Sequence, residues 1–128
     1  MSAMSNFLEN EILDHILRNS AYTPPSTVYI GLSTGSFGDD NSGTELSGNG
    51  YARQSIAFDA ASGGVSDNTS NVDFPAATGN QGTISHFGLF DASSGGNLLI
   101  HGAFSASKAV TTGDILRIAA GELDITAA

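Results

Sequence analysis

The chain has 128 residues, 40% hydrophobic and only 13% charged, enough to bury one core and too few for a second. Thirteen acidic residues against four basic ones give a net charge of −9, and the scattered Arg18, Arg53, Lys108 and Arg117 form no basic stripe, so nucleic acid is excluded as a partner. The absence of cysteine rules out a disulfide framework and thiolate metal sites. No stretch approaches the roughly 18 apolar residues that span a bilayer, and the N-terminus lacks a signal peptide's basic and apolar regions, so a membrane is not an expected partner and synthesis is expected in a cytoplasm.

A helical period occurs only at residues 6–18. Leu8, Ile12 and Ile16 recur every fourth residue, Leu13 and Leu17 widen the stripe, and Asn10, Glu11, Asp14 and Arg18 fall largely on the other side. Ser5 or Asn6 suits the N-cap, Glu9 the positive end, and Arg18 the negative end, four residues after Asp14. Such a stripe must lie on the domain's own sheet or on another subunit.

After Tyr22-Thr-Pro-Pro25 forces an extended lead-in, the period becomes two. Strands are predicted at 28–32, 51–58, 72–74, 84–90, 98–104, 115–118 and 123–125. A long Gly-, Ser-, Asp- and Asn-rich loop fills 33–50, and turns fall at 112–114 and 120–122. A near-duplicate phrase, Phe58-Asp-Ala-Ala-Ser-Gly-Gly64 and Phe90-Asp-Ala-Ser-Ser-Gly-Gly96, reads as a reused corner. In it the Asp side chain folds back onto the turn and paired glycines supply positive φ. The fold class expected is mainly β: one domain over 1–128, with a helix arm at 1–20 and an antiparallel β-sandwich or jelly-roll-like body at 26–128.

Three patterns invite a chemical reading. Gly31-Leu-Ser-Thr-Gly35 matches the nucleophile elbow in letters, but an elbow needs a following helix and here a loop follows. No spacing sets His15, His86 or His101 beside Ser33, so a small serine hydrolase is the remote alternative. His86 and His101 sit mid-strand and would share a face if their strands pair, yet no third metal ligand is in view. Residues 39–45 resemble an oxygen-rich calcium loop but miss the EF-hand glycine and terminal glutamate. No catalytic residue, cofactor or metal is assigned.

The segments Leu8-Glu-Asn-Glu-Ile-Leu-Asp-His15, Val28-Tyr-Ile-Gly-Leu32, Gly50-Tyr-Ala-Arg-Gln54, Phe74-Pro-Ala-Ala77, His86-Phe-Gly-Leu-Phe-Asp-Ala92 and Gly121-Glu-Leu-Asp-Ile-Thr126 together resemble a family of small structural proteins of tailed bacteriophages, often labelled tail-fibre-like. Size and composition are also similar to capsid-cementing proteins. The resemblance implies a non-enzymatic virion component assembled in the host cytoplasm. The preferred expectation is a decoration protein clamping the major capsid protein, and the alternative is a tail-fibre or baseplate module contacting tail proteins. A homo-oligomer, dimer or trimer, is expected. The expected partner contacts are Phe7, Leu8, Ile12 and Ile16 on the helix and Asp39, Asp40 and Glu45 in the long loop, which exceeds a simple hairpin.

Overall fold

Period-two segments need a neighbouring strand for every backbone group, and here they find it almost entirely in antiparallel pairs. A computed structural model describes residues 2–127; Met1 and Ala128, the ends of the expected 1–128 span, lie outside the described residues. The elements are β1 (Ser2–Met4), α1 (Asn6–Leu17), β2 (Val28–Ser33), β3 (Gln54–Ile56), β4 (Val65–Asp67), β5 (Val72–Asp73), β6 (Gly82–Phe90), β7 (Leu98–Val110), β8 (Arg117–Ile118) and β9 (Asp124–Thr126). A five-stranded sheet runs β1-β7-β6-β2-β3, with two separate ladders, β4-β9 and β5-β8. The fold is therefore mainly β, antiparallel, with one short N-terminal helix. The layer opposite the main sheet is broken into two small ladders instead of a second full sheet.

Alternation along the strands divides the core between two faces of the main sheet. Ile30 and Leu32 of β2, Ile84, Phe87 and Leu89 of β6, and Ile100 of β7 point to one side. There they meet Val72, Phe74, Leu116, Ile118 and Leu123 from the ladders and their flanks. The other face carries a smaller cluster of Phe37, Phe90 and Leu98. A register shift between Leu89 and Phe90 against β7, Leu89 opposite Ile100 and Phe90 opposite Leu98, inserts Leu99 as a bulge that lets both clusters fill.

The second face is closed by the 33–50 loop, which folds back over the sheet and seats Phe37 at 1% exposure. Room for it comes from Gly31 and Gly88, which face one another across β2 and β6. A Cβ on Gly31 would lie 2.7 Å from Glu45 Oε2 and 3.0 Å from the Tyr51 hydroxyl, and one on Gly88 would lie 2.9 Å from Leu98 Cδ1. Phe37 and Phe90 meet edge to face at 5.6 Å over this notch.

Arg53 fastens the cover. Its guanidinium grips Glu45 through Nε at 2.9 Å and Nη2 at 2.7 Å, and donates through Nη1 to the carbonyls of Ala92 at 2.9 Å and Gly95 at 2.8 Å. It lies 3.6 Å from the centroid of the Phe90 ring. The Tyr51 hydroxyl donates to Glu45 and accepts from the Leu32 N–H at 3.0 Å, which ties the group to β2. Burial, reinforced by the bond to the Glu45 carboxylate, pushes the Tyr51 phenol well above its ordinary 10.0.

The repeated corner keeps its glycines and varies its aspartate. Gly63 and Gly64, like Gly95 and Gly96, have positive φ. Ser62 and Val65 bridge across the first pair, as a two-residue hairpin turn of left-handed residues does. Asp91 accepts from the Asn97 N–H at 2.7 Å and so folds onto its own turn, whereas Asp59 reaches across to the Thr69 hydroxyl at 2.9 Å.

Three outcomes test this account. Gly31→Ala should lower stability to urea by about 1–3 kcal/mol through overpacking, while Gly35→Ala, whose added methyl meets nothing within 4 Å, should change it little. Arg53→Ala should cost about 3 kcal/mol or more, because it strands Glu45 in a partly buried site; Arg117→Ala, at an exposed pair with Asp73, should leave the unfolding midpoint nearly unchanged. Because the folded phenol of Tyr51 titrates above the unfolded one, its contribution is complete below pH 10.0 and is lost as pH rises beyond it. Wild-type stability should therefore fall more steeply above that pH than the stability of Tyr51→Phe.

Candidate functional site

Helix α1 forms where the apolar period predicts it, capped by Ser5, whose hydroxyl accepts from the Leu8 N–H at 3.2 Å. Its seating is the unexpected part. Only Leu8 is buried, at 9% exposure, and Phe7 is half-buried in an edge contact with Tyr22 at 6.3 Å. Ile12 is 36% exposed, Leu13 54%, Ile16 70% and Leu17 73%. The side of the helix that meets the rest of the chain holds Phe7, Leu8 and Glu11, and the broader apolar stripe points outward. The 19–25 segment returns along the helix, with the Tyr22 N–H donating to His15 Nδ1 at 3.1 Å.

The loop residues are placed differently. The Glu45 carboxylate is held inside the Arg53 group. Asp39 is exposed yet tied at both ends: its carbonyl accepts from the Asn6 N–H at 2.8 Å, and Oδ1 lies 2.7 Å from His101 Nε2 on β7. Asp40 is exposed and accepts from the Ser42 N–H at 3.1 Å; hydrogen bonds from Ser42 hold its carboxyl below the ordinary range. The loop thus docks the helix start to the sheet, and Asp39 and Asp40 crowd the helix N-terminus while the apolar stripe lies further along.

Chemistry finds little purchase. The register of β2 and β6 does set His86 opposite Ser33, against the expectation from spacing. Ser33 is nevertheless 2% exposed, donating to the Thr44 carbonyl at 2.6 Å and accepting from the Gly35 N–H at 3.1 Å, and His86 Nδ1 is 2.7 Å from the Ser85 hydroxyl. His86 and His101 do lie on paired strands, one diagonal step apart, but His101 is bonded to Asp39. Among the described residues no group of three or more His, Asp or Glu side chains is arranged to hold a metal ion.

Electrostatics point the same way. Each of the four cations meets a carboxylate: Arg18 with Asp14 at 3.6 Å, Arg53 with Glu45 at 2.7 Å, Lys108 with Glu122 at 3.3 Å and Arg117 with Asp73 at 2.7 Å. The surplus negative charge is left on the surface, and the exposed helix stripe is the main apolar break in it. A second apolar feature, a groove of about 160 Å³, is lined by Met4, Val65, Ile100 and Ile125 where β1 meets the β4-β9 ladder. The Arg53 group had no local signal in the sequence beyond the scarcity of cations, which makes every arginine a candidate for a specific partner.

No curated protein matches the chain. A protein family described as Podophage GP4 fiber I protein gp80 matches residues 3–126, nearly the whole chain. The chain belongs to this phage fibre family, whose members are virion structural proteins and not enzymes.

Proposed function

We propose that the protein is a structural component of the phage tail fibre, held in the particle by protein–protein contacts, with the α1 face as one of its contact surfaces. The carrying observation is the stripe of Ile12, Leu13, Ile16 and Leu17, which the fold leaves in water. Covering a large aliphatic side chain completely stabilises by about 1.5–3 kcal/mol, so four partly exposed ones amount to a few kcal/mol available to a neighbour. The family's description names a fibre, and this supports the tail reading over capsid decoration, the expectation preferred from the sequence. The major capsid protein accordingly gives way to tail and fibre proteins as the partners. Asp39 and Asp40, exposed beside the helix start, complete the contact region; Phe7, Leu8 and Glu45 support it from inside. The described residues form one such unit: helix, loop and sheet bonded together.

Two measurements on purified particles test this. Quantitative mass spectrometry should give a copy number far below that of the major capsid protein, with immunogold label on the tail; near-equal copy number and label over the head would overturn the reading. Ile16→Asp/Leu17→Asp, both positions exposed, should fold normally by circular dichroism and be depleted from particles; undiminished incorporation would remove the helix face from the contact set.

A further inference from the structure

Midway along β7 the ladder to β6 breaks. His86 pairs with Ala103 and Ile84 with Lys108, so five residue steps on β7 lie against two on β6, and Phe104–Ser107 have no opposite residue there. On the other edge β1 pairs with Ile100–Gly102, and among the described residues no further strand continues along that edge. The segment is nevertheless strand, pinned by pairing on both sides of it, and Ser105, Ala106 and Ser107 are exposed. Proteins usually blunt such an edge with a free lysine, a proline or a cover. Here there is no proline, and Lys108 is occupied with the Glu122 carboxylate at 3.3 Å and the Arg117 carbonyl at 3.1 Å.

Beside this edge the two layers part. A cleft of about 260 Å³ opens between β7 and the 118–124 segment, with Phe87, Phe104, Ile118 and Leu123 as its apolar lining and Glu122 and Asp124 among its polar residues. β1 shows what such an edge accepts: paired to β7, it sets Met4 in the neighbouring apolar groove with Ile100 and Ile125. We propose that an extended segment of another virion protein adds to β7 beside Phe104–Ser107, in line with β1, and places a large apolar side chain in the cleft. Charge specifies the residue next to it. Asp124 lies opposite Asp67 across the β4-β9 ladder, and among the described residues neither carboxylate is in an ion pair, so a lysine or arginine beside the apolar residue relieves like-charge repulsion. A second copy of this chain, whose four cations are already paired, is poorly suited to supply it. The cleft shares no residue with the α1 face, and its occupation does not depend on where in the particle the protein sits.

The test uses the full chain and a fluorescent synthetic peptide that alternates leucine with lysine. The peptide should bind saturably and slow amide exchange at Phe104–Ser107 by about tenfold or more, with α1 unchanged. The same peptide with glycine for leucine, of equal charge, should not bind, and one with glutamate for lysine should bind about tenfold more weakly. Asp124→Lys, at an exposed position, should weaken the lysine peptide and strengthen the glutamate peptide. Ala106→Trp should fill the cleft and abolish binding with an unchanged circular dichroism spectrum. In purified particles, a benzophenone amino acid at Ala106 should crosslink to a segment of another virion protein in which a lysine or arginine adjoins an apolar residue. The proposal is overturned by absence of saturable binding, by protection only outside residues 104–107, by equal binding of the glycine peptide, or by a charge preference that Asp124→Lys leaves unchanged. Crosslinking to a second copy, or none at all, would overturn it as well. An occupied cleft in particles labelled over the head would overturn the fibre assignment alone.

Discussion

The Arg53 guanidinium is the fixture on which the outer face of the main sheet depends. It joins three separate pieces of chain: Glu45 in the long loop, the carbonyls of Ala92 and Gly95 in the second corner, and the ring of Phe90 at the end of β6. A planar cation with five donors can hold a carboxylate, two carbonyls and an aromatic face at once, which a lysine could not. With the loop anchored, Phe37 is driven into the Gly31–Gly88 notch and Asp39 is set against His101 and the first turn of α1.

The helix is thereby fixed at its start and free over its later turns. Ser5 caps it from a buried position, its N–H donating to the Leu99 carbonyl at 2.8 Å and its hydroxyl to that of Leu98, while β1 pairs with β7 immediately before it. Leu8 is then the one buried apolar residue of the helix, with Phe7 half-buried beside it. The hydrophobic effect would ordinarily roll an amphipathic helix onto its own sheet. Here the loop already occupies the sheet face that such a roll would need, so the stripe stays outside. The stripe is thus left as apolar area on a strongly acidic surface.

The same logic explains why paired charges matter so unequally in this molecule. Arg18–Asp14 and Arg117–Asp73 sit in water, where solvent and salt dilute them. Arg53–Glu45 is shielded by Phe90 and the loop, with the arginine side chain only 8% exposed, and removal of either partner leaves an unpaired charge in a partly buried site. Among four cations, one organises the fold and the others decorate it.

The sequence by itself determined the class of structure: the 3.6 period of residues 6–17 made a helix within a residue of its predicted end, and the period-two runs made β2, β6 and β7. It also determined the chemistry that is missing, since cysteine and clustered cations are absent whatever the fold. The strands it did not disclose, β1, β4 and the outer reach of β7, are too short or too rich in Ser and Ala to show a period, and they exist because a neighbour offers open backbone groups. Nor could it show that Glu45 and Arg53 clasp each other over Phe90, that His86 lies opposite Ser33, or that the helix turns its apolar side outward. Those outcomes depend on which surfaces remain uncovered after the loop has docked. Local spacing carries no information about that competition, and only the packed tertiary structure decides it.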